Sequence, residues 1–425
     1  MAVAAGHRLH DLAGGATLVT ASMPARASAS LVLLLGVGSR HEEARLSGIS
    51  HFIEHLLFKG TRRRPSAKEI AEAIEGVGGV INASTDKEAT AYWARVPADR
   101  LELGLDVLFD MVCEPRLDPD DLERERLVIL EEIKMYQDQP QDYVHSLFEE
   151  LIFPAHPLGR DITGTLETVA GIAGADVQAY LARHYRAHNL VVGVTGAIDD
   201  EQTREVVAAN MRLPGAAPAA PAADVPDDLT APAVRLFRKE TEQAHICLGT
   251  RAISYLDPDR YVLDLINTML GEGMSSRLFL EIRESRGLAY DVHSYTSKHV
   301  DAGYFAVYMG VDPKKAEQSL VAGIAELRRM ADQAVPAAEL EKAKEFTKGR
   351  LRLGLESTNA MASWLSQQQL LTGVIRTVDE VIAEVDRIDT AEVQRVAQRV
   401  LGGPLQVAVI GPFKSDAGFR VAVES

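Results

Sequence analysis

Hydrophobic and polar positions follow two patterns along the chain, short apolar runs and helix-periodic segments, and both patterns occur in each half. Short apolar runs at residues 89–96 and 304–311 are typical of strands. Each is followed by a proline-containing turn and then by a helix-periodic segment, at 101–111 and 316–330. Each half then closes with a helix and a further strand-like run. The shared order indicates an internal duplication of one α+β unit.

Strands joined by short turns, with helices placed irregularly between them, predict mostly antiparallel sheets with helices packed on one face. Segment 213–232 is dense in Pro and Ala, has no apolar period and is typical of an extended linker. It divides the chain into residues 1–212 and 233–425, both of ordinary domain size. The sequence therefore predicts an α+β protein with two homologous α/β-sandwich domains.

Composition narrows the class of protein. The chain has 425 residues, and 61 Asp+Glu against 45 Lys+Arg give a formal net charge of -16. This balance argues against nucleic acid as a partner, because phosphate binding needs clustered Lys and Arg. No segment approaches the roughly 20 apolar residues of a membrane span. Cys113 and Cys247 have no CxxC partner, and residues 1–12 lack a signal-peptide run. We therefore expect a cytoplasmic protein without a membrane partner.

The segment His51-Phe-Ile-Glu54-His55 carries candidate metal chemistry. His51 and His55 are four residues apart, so they share one face of a helix and can bind one zinc ion. Glu54 lies beside that face, where it can take a proton from a zinc-bound water. This HxxEH order is the inverzincin motif, the inverse of HExxH. The segment favours a zinc-dependent endopeptidase.

A catalytic zinc needs a third protein ligand, and a long helix-periodic segment that follows offers one. Glu125 and Glu132 are seven residues apart and therefore lie on one helical face. Glu132 can reach the metal while Glu125 orients a ligand. Periodicity alone does not choose between Glu131 and Glu132, and a solvated charged stripe is the alternative.

These residues and several further motifs resemble the pitrilysin family of zinc peptidases, especially the short branch related to mitochondrial processing peptidase. The motifs, in chain order, are Gly38–Glu42 (GSRHE), His51–Thr61 (HFIEHLLFKGT), Asn82–Thr90 (NASTDKEAT), Glu125–Tyr136 (ERLVILEEIKMY) and Gly287–Tyr290 (GLAY). In that family the third ligand follows a supporting glutamate by seven residues. The resemblance therefore implies Glu132 as ligand, Glu125 as its support and Glu54 as catalytic base.

The resemblance also implies how substrate is held. It matches a substrate-pairing edge strand, which binds extended peptide through backbone groups, to Asn82, Ala83 and Ser84. It matches Arg283 and Tyr290, seven residues apart, to a pair that holds substrate carbonyls and stabilises the oxyanion. Arg286 is a neighbouring alternative that ranks below Arg283.

The second half contains no counterpart of the metal motif, so we expect one zinc ion per chain. The resemblance implies a metal half and an Arg/Tyr half that face each other across a closing chamber. It also implies pairing of two chains, as a homodimer, with a heterodimer beside a homologue or an active monomer as alternatives. The expected activity is hydrolysis of extended peptides or small unfolded proteins. The alternative function is a non-catalytic or partner-dependent assembly subunit of a peptidase-like complex.

Overall fold

The structure is a computed structural model that describes residues 6–215, 223–226 and 229–424. Its strands are β1 (His7–Asp11), β2 (Thr17–Ser22), β3 (Ser28–Leu35), β4 (Val80–Thr85), β5 (Thr90–Pro97), β6 (Leu190–Gly196), β7 (Ala233–Arg238), β8 (Ala244–Ala252), β9 (Ala289–Lys298), β10 (Gly303–Val311) and β11 (Gln406–Gly411). Its helices are α1 (Ile49–Leu57), α2 (Ala67–Glu75), α3 (Leu101–Cys113), α4 (Pro119–Asp138), α5 (Pro140–Ile152), α6 (Leu166–Gly171), α7 (Gly174–His184), α8 (Asp200–Asn210), α9 (Arg260–Gly271), α10 (Ala316–Asp332), α11 (Ala337–Gly354), α12 (Thr358–Thr372), α13 (Val378–Arg387), α14 (Thr390–Leu401) and α15 (Ala417–Glu424).

The chain forms two compact units. The sheet of the first unit has the strand order β1-β2-β6-β3-β5-β4, in which only β2 and β6 run parallel among the described strands. The central strands β3 and β6 are nearly continuous apolar runs and are buried along almost their whole length. Strand β4 alternates between exposed and half-buried residues, as expected for the edge of a sheet.

The sheet of the second unit has the order β7-β11-β8-β10-β9, again with one parallel pair, β7 and β11, among the described strands. This order and these directions match β2-β6-β3-β5-β4 strand for strand, with β1 as the addition in the first unit. The shared topology agrees with an internal duplication. The predicted mostly antiparallel α+β architecture is confirmed.

Each unit takes one helical segment from the other half of the sequence. The first unit comprises Met1–Lys134, Arg160–Ala222 and Arg352–Val378; the second comprises Met135–Gly159, Ala223–Leu351 and Asp379–Ser425. Helix α12 packs on β3 and β6, and helix α5 packs on β8 and β11. The sequence predicts a division into residues 1–212 and 233–425. The two units differ from it because each contains one helical segment from the other half. The linker, 213–232, lies partly outside the described residues.

The exchanged helices cover the sheet face opposite to the main helical layer. In β3, Leu31, Leu33 and Leu35 point into the core shared with α1, α3 and α4, whereas Val32 and Leu34 pack against α12. The second sheet divides in the same way, with α9, α10 and α14 on one face and α5 on the other. The sequence predicts helices on one face of each sheet. In the structure the main helical layer lies on one face, and one exchanged helix covers the other. None of the described helices is long and apolar enough to cross a membrane.

Candidate metal centre

Helix α1 presents its two histidines because its apolar face is buried. Phe52, Ile53 and Leu56 lie in the core of the first unit, so the opposite side of the helix is free to carry polar groups. His51 and His55 occupy that side, with ring centroids 4.6 Å apart in an edge-to-face arrangement. The predicted four-residue spacing therefore places both imidazoles at one position.

Glu132 of helix α4 completes a group of three ligand atoms. Its Oε2 lies 3.8 Å from Nε2 of His51 and 3.7 Å from Nε2 of His55. A tetrahedral zinc ion with bonds of about 2.0–2.2 Å separates its ligand atoms by about 3.4 Å. The observed spacings thus fit a zinc ion bound by all three. Among the residues that the structure describes, no other group of His, Cys, Asp or Glu meets such a spacing.

The structure also distinguishes the two adjacent glutamates that periodicity left open. Ile129 and Ile133 are buried in the core and fix the rotation of α4. With that rotation, Glu132 faces the histidines, whereas the Glu131 side chain is 74% exposed and pairs with Lys134 at 2.6 Å. Glu132, and not Glu131, is the carboxylate that joins the histidines.

Glu125 lies one layer behind the three ligand atoms. Its Oε2 is 3.1 Å from Nδ1 of His55, and its Oε1 is 2.7 Å from Nζ of Lys59, while its side chain is only 9% exposed. A carboxylate at Nδ1 favours the tautomer that carries the proton there, which leaves the lone pair on Nε2 for a metal. For Nδ1 of His51, the described residues provide no hydrogen-bond partner.

Burial acts in opposite directions on two of these groups, favouring the metal-binding form of His51 but not that of Glu132. Burial, and next the neighbouring His55, lower the pKa of His51 to about 4, so this imidazole is neutral at pH 7. Neutral imidazole is the form that donates a lone pair. Burial is also the main cause that raises the pKa of Glu132. A bound cation would oppose that shift.

Glu54 is held beside the group by a residue that the sequence did not single out. The hydroxyl of Thr85 donates a hydrogen bond of 2.5 Å to Oε2 of Glu54. Burial raises the pKa of Glu54, and this hydrogen bond opposes the increase. Thr85 directly follows Ser84 within the Asn82–Thr90 motif. This position is the signal by which the sequence could have identified Thr85 as a functional residue. The carboxylate is thus anchored to β4.

The edge strand β4 carries the three predicted substrate-binding positions. Asn82, Ala83 and Ser84 pair with β5 on one side, and among the described strands none pairs on the other side. Asn82 and Ser84 are exposed, and Oδ1 of Asn82 accepts a hydrogen bond of 2.8 Å from the amide of Ala83. Strand β4 is therefore an edge strand, as the resemblance implies for the strand that pairs with substrate.

Arg283 and Tyr290 form a contact pair in the second unit. Arg283 lies in a π-helical turn, Phe279–Ser285, and its guanidinium group stacks 4.9 Å from the ring centroid of Phe279 and 5.1 Å from that of Tyr290. Tyr290 is 75% exposed. The alternative, Arg286, pairs instead with Glu281 at 2.6 Å. The structure thus brings Arg283 and Tyr290 together, apart from Arg286.

Two protein-family models match the chain. The model described as Insulinase (Peptidase family M16) matches residues 17–166, which include the three ligand positions. The model described as Peptidase M16 inactive domain matches residues 172–346, which include Arg283 and Tyr290.

Curated relatives and solved structures agree with these matches. An uncharacterized zinc protease of Streptomyces coelicolor is 39% identical over 97% of this chain and 91% of that protein. The uncharacterized zinc protease YmxG of Bacillus subtilis is 37% identical over 94% of this chain and 96% of that protein. The crystal structure of a protease from Helicobacter pylori aligns with a TM-score of 0.89 at 23% identity, covering 96% of this chain and all of that one. The last comparison shows the shared fold.

Proposed function

The chain belongs to the insulinase family of peptidases, M16, and we propose that it is a zinc metalloendopeptidase. One observation carries the proposal: His51, His55 and Glu132 each offer one ligand atom, and these three atoms lie within 4.8 Å of one another. These three side chains would hold one zinc ion per chain. The curated relatives are named zinc proteases, which supports this choice of metal.

The chain's own residues supply the other parts of the reaction. When bound, zinc supplies Lewis acidity and lowers the pKa of water toward neutrality. Water attacks the peptide carbonyl carbon directly, so no covalent intermediate forms with the chain. Glu54 takes a proton from that water and delivers it to the amine nitrogen, which leaves as the C–N bond breaks. Thr85 holds the Glu54 carboxylate through its 2.5 Å hydrogen bond. Glu125 orients His55 through Nδ1.

We propose extended peptides or small unfolded proteins as substrates. Asn82, Ala83 and Ser84 lie on a sheet edge, which pairs with a peptide backbone without demanding one side-chain sequence. Arg283 and Tyr290 would bind substrate carbonyls and stabilise the oxyanion. Cleavage within an enclosed chamber is the part of the proposal that rests on the family resemblance.

A chelation experiment on purified protein tests the metal dependence. We expect hydrolysis of an internally quenched fluorogenic peptide to stop when a chelator removes zinc and to return when one equivalent is added. Activity that persists in the chelator, with no zinc detected in the protein, would overturn the proposal. A protein that holds zinc but never cleaves a broad peptide set would favour the non-catalytic assembly subunit instead.

A substitution of the base separates chemistry from metal binding. Glu54→Gln should lower kcat by about 10²–10⁴-fold, the usual contribution of general acid–base catalysis, while the zinc content stays at one per chain. Glu131→Gln is the matched control, because it makes the same chemical change on an exposed side chain. Undiminished activity in Glu54→Gln would contradict the assigned role.

The Arg/Tyr pair calls for its own variants. Arg283→Lys keeps the charge but loses the planar fork, and Tyr290→Phe loses only a hydroxyl on an exposed ring. We expect both to lower kcat/KM with unchanged zinc content and unchanged thermal stability. Arg286→Lys, whose side chain pairs with Glu281, is the control. Equal effects of the two arginine variants would argue against a specific clamp.

Assembly and location complete the proposal. We propose a homodimer, with a heterodimer beside a homologue as the alternative, and size-exclusion chromatography with light scattering distinguishes the two from a monomer. A cytoplasmic location is proposed from the two cysteines, which are both free thiols in the structure. Neither membrane nor nucleic acid is proposed as a partner.

A further inference from the structure

Helix α1, which carries the proposed zinc ligands His51 and His55, begins without a side-chain cap of its own. Gly48 is the N-cap residue of α1, with φ of 97°, and it makes no side-chain cap hydrogen bond. A Cβ at this position would lie 2.6 Å from the carbonyl oxygen of Thr163. Serine, threonine or aspartate, the usual capping residues, are therefore excluded, although the first amides of any helix need acceptors.

The missing acceptors are supplied by Glu42, six residues before the cap. One carboxylate oxygen accepts a hydrogen bond of 2.8 Å from the amide of Gly48, and the other accepts one of 2.8 Å from the amide of Ser50. Glu42 is only 4% exposed. A carboxylate at a helix N-terminus is also favoured by the helix dipole. Two bonds from one planar group fix both the position and the rotation of the first turn.

Glu42 and the turn that it holds are themselves anchored. The main-chain carbonyl of Glu42 accepts a hydrogen bond of 2.8 Å from Arg160, and the hydroxyl groups of Ser50 and Tyr180 lie 2.8 Å apart in the buried interior. His51 is the next residue after Ser50. A change in the rotation of this turn would therefore move the His51 imidazole directly, and His55 one turn later.

We propose that Glu42 is a positioning residue for the metal centre, which sets the register of α1 so that His51 and His55 meet Glu132. This inference rests on the proposed function. The ligand side chains must be held within about 0.5 Å of the required geometry, because a site with loosely held ligands binds metal more weakly. Glutamine can accept only one of the two amide hydrogen bonds and turns an NH₂ group toward the other amide.

The experiment measures zinc affinity by competition with a chromophoric chelator in Glu42→Gln and in Glu42→Asp, which keeps the charge but is one methylene shorter. We expect the zinc dissociation constant to rise about 10- to 100-fold in both variants. The visible spectrum of the cobalt-substituted protein should change as well, since it reports ligand geometry. At saturating zinc, KM should stay unchanged while kcat falls.

The matched control is Asp199→Asn, which makes the same carboxylate-to-amide change at the cap of α8, where Asp199 accepts a hydrogen bond of 2.9 Å from the amide of Gln202. It should leave zinc affinity and the cobalt spectrum unchanged. Normal zinc affinity in a folded Glu42→Gln protein would overturn the inference. So would failure of both Glu42 variants to fold, because Glu42 would then act on folding at large. A wild-type protein that binds no zinc would instead overturn the proposed function.

Discussion

The contact between Glu125 and His55 leads to a quantitative prediction for Glu125→Gln. The carboxylate bridges Nδ1 of His55 at 3.1 Å and Nζ of Lys59 at 2.7 Å in a nearly buried position. Hydrogen bonds to a charged group contribute about 1.5–3 kcal/mol, against about 0.5–1.5 kcal/mol for neutral pairs. Glutamine therefore weakens the contact to His55 by about 1–1.5 kcal/mol and removes the negative charge that pairs with the Lys59 ammonium.

This loss should appear mainly as weaker zinc binding. A loss of about 1.4 kcal/mol is a tenfold change in an equilibrium constant, and residues that orient metal ligands are typically worth 10- to 100-fold in metal affinity. We expect the zinc dissociation constant of Glu125→Gln to rise about tenfold, at the low end of that range, as measured by chelator competition. At saturating zinc, most of the peptidase activity should return, because Glu54 is unchanged.

Glu131→Gln provides the control for this prediction, since it lies on the same helix but is exposed and paired with Lys134. Its zinc affinity should equal that of the unmodified protein. Zinc binding by Glu125→Gln as tight as that of the unmodified protein, or an equal loss of affinity in both variants, would contradict this prediction. Either result would mean that the orientation of His55 does not depend on the carboxylate.

Three further predictions concern other parts of the chain. Thr85→Val removes the hydroxyl donor to Glu54 and should lower kcat about tenfold, whereas Thr85→Ser should retain activity. Neither variant should alter zinc affinity. Equal kcat in the two variants would argue against the contact. Gly48→Ala places a side chain at φ of 97° against a carbonyl oxygen, so chemical denaturation should show a loss of about 2 kcal/mol or more; an unchanged unfolding midpoint and slope would contradict this. Burial lowers the pKa of His145 from 6.5 to about 4. Between pH 6.5 and pH 4 the unfolded chain therefore binds more protons at this residue than the folded chain does. The free energy of unfolding should fall by about 3 kcal/mol as the pH drops through this range. Nδ1 of His145 lies 2.5 Å from the hydroxyl of Tyr295. His145→Asn, which can keep a hydrogen bond there, should remove this part of the acid sensitivity, and an identical pH profile of unfolding in the variant would contradict the prediction.

The sequence predicted the candidate metal ligands better than the residues that hold the site in place. Spacing placed His51 and His55 on one face, because helical geometry alone fixes that relation. The choice of Glu132 over Glu131 needed the family resemblance, since adjacent residues differ by about 100° around a helix whose rotation is set by tertiary packing. The buried Ile129 supplies that rotation in the structure.

Contacts between distant segments were the part that periodicity could not predict. Thr85 reaches Glu54 only because an edge strand passes beside α1, and Glu42 caps a helix that starts six residues later. The exchange of α5 and α12 was missed for the same reason. A hydrophobic pattern shows that a helix has a buried face, but it does not show which sheet that face covers.

The exchange of helices has a consequence for synthesis of the protein on the ribosome. The last strand of the first sheet ends at Gly196, and α12, which covers its second face, begins at Thr358. At typical elongation rates of about 5–20 residues per second, roughly 10–30 s separate the two events. During that interval Val32 and Leu34 lack the helix that later buries them. Although most of the first unit is made early, its sheet therefore keeps one uncovered apolar face until α12 has been synthesised.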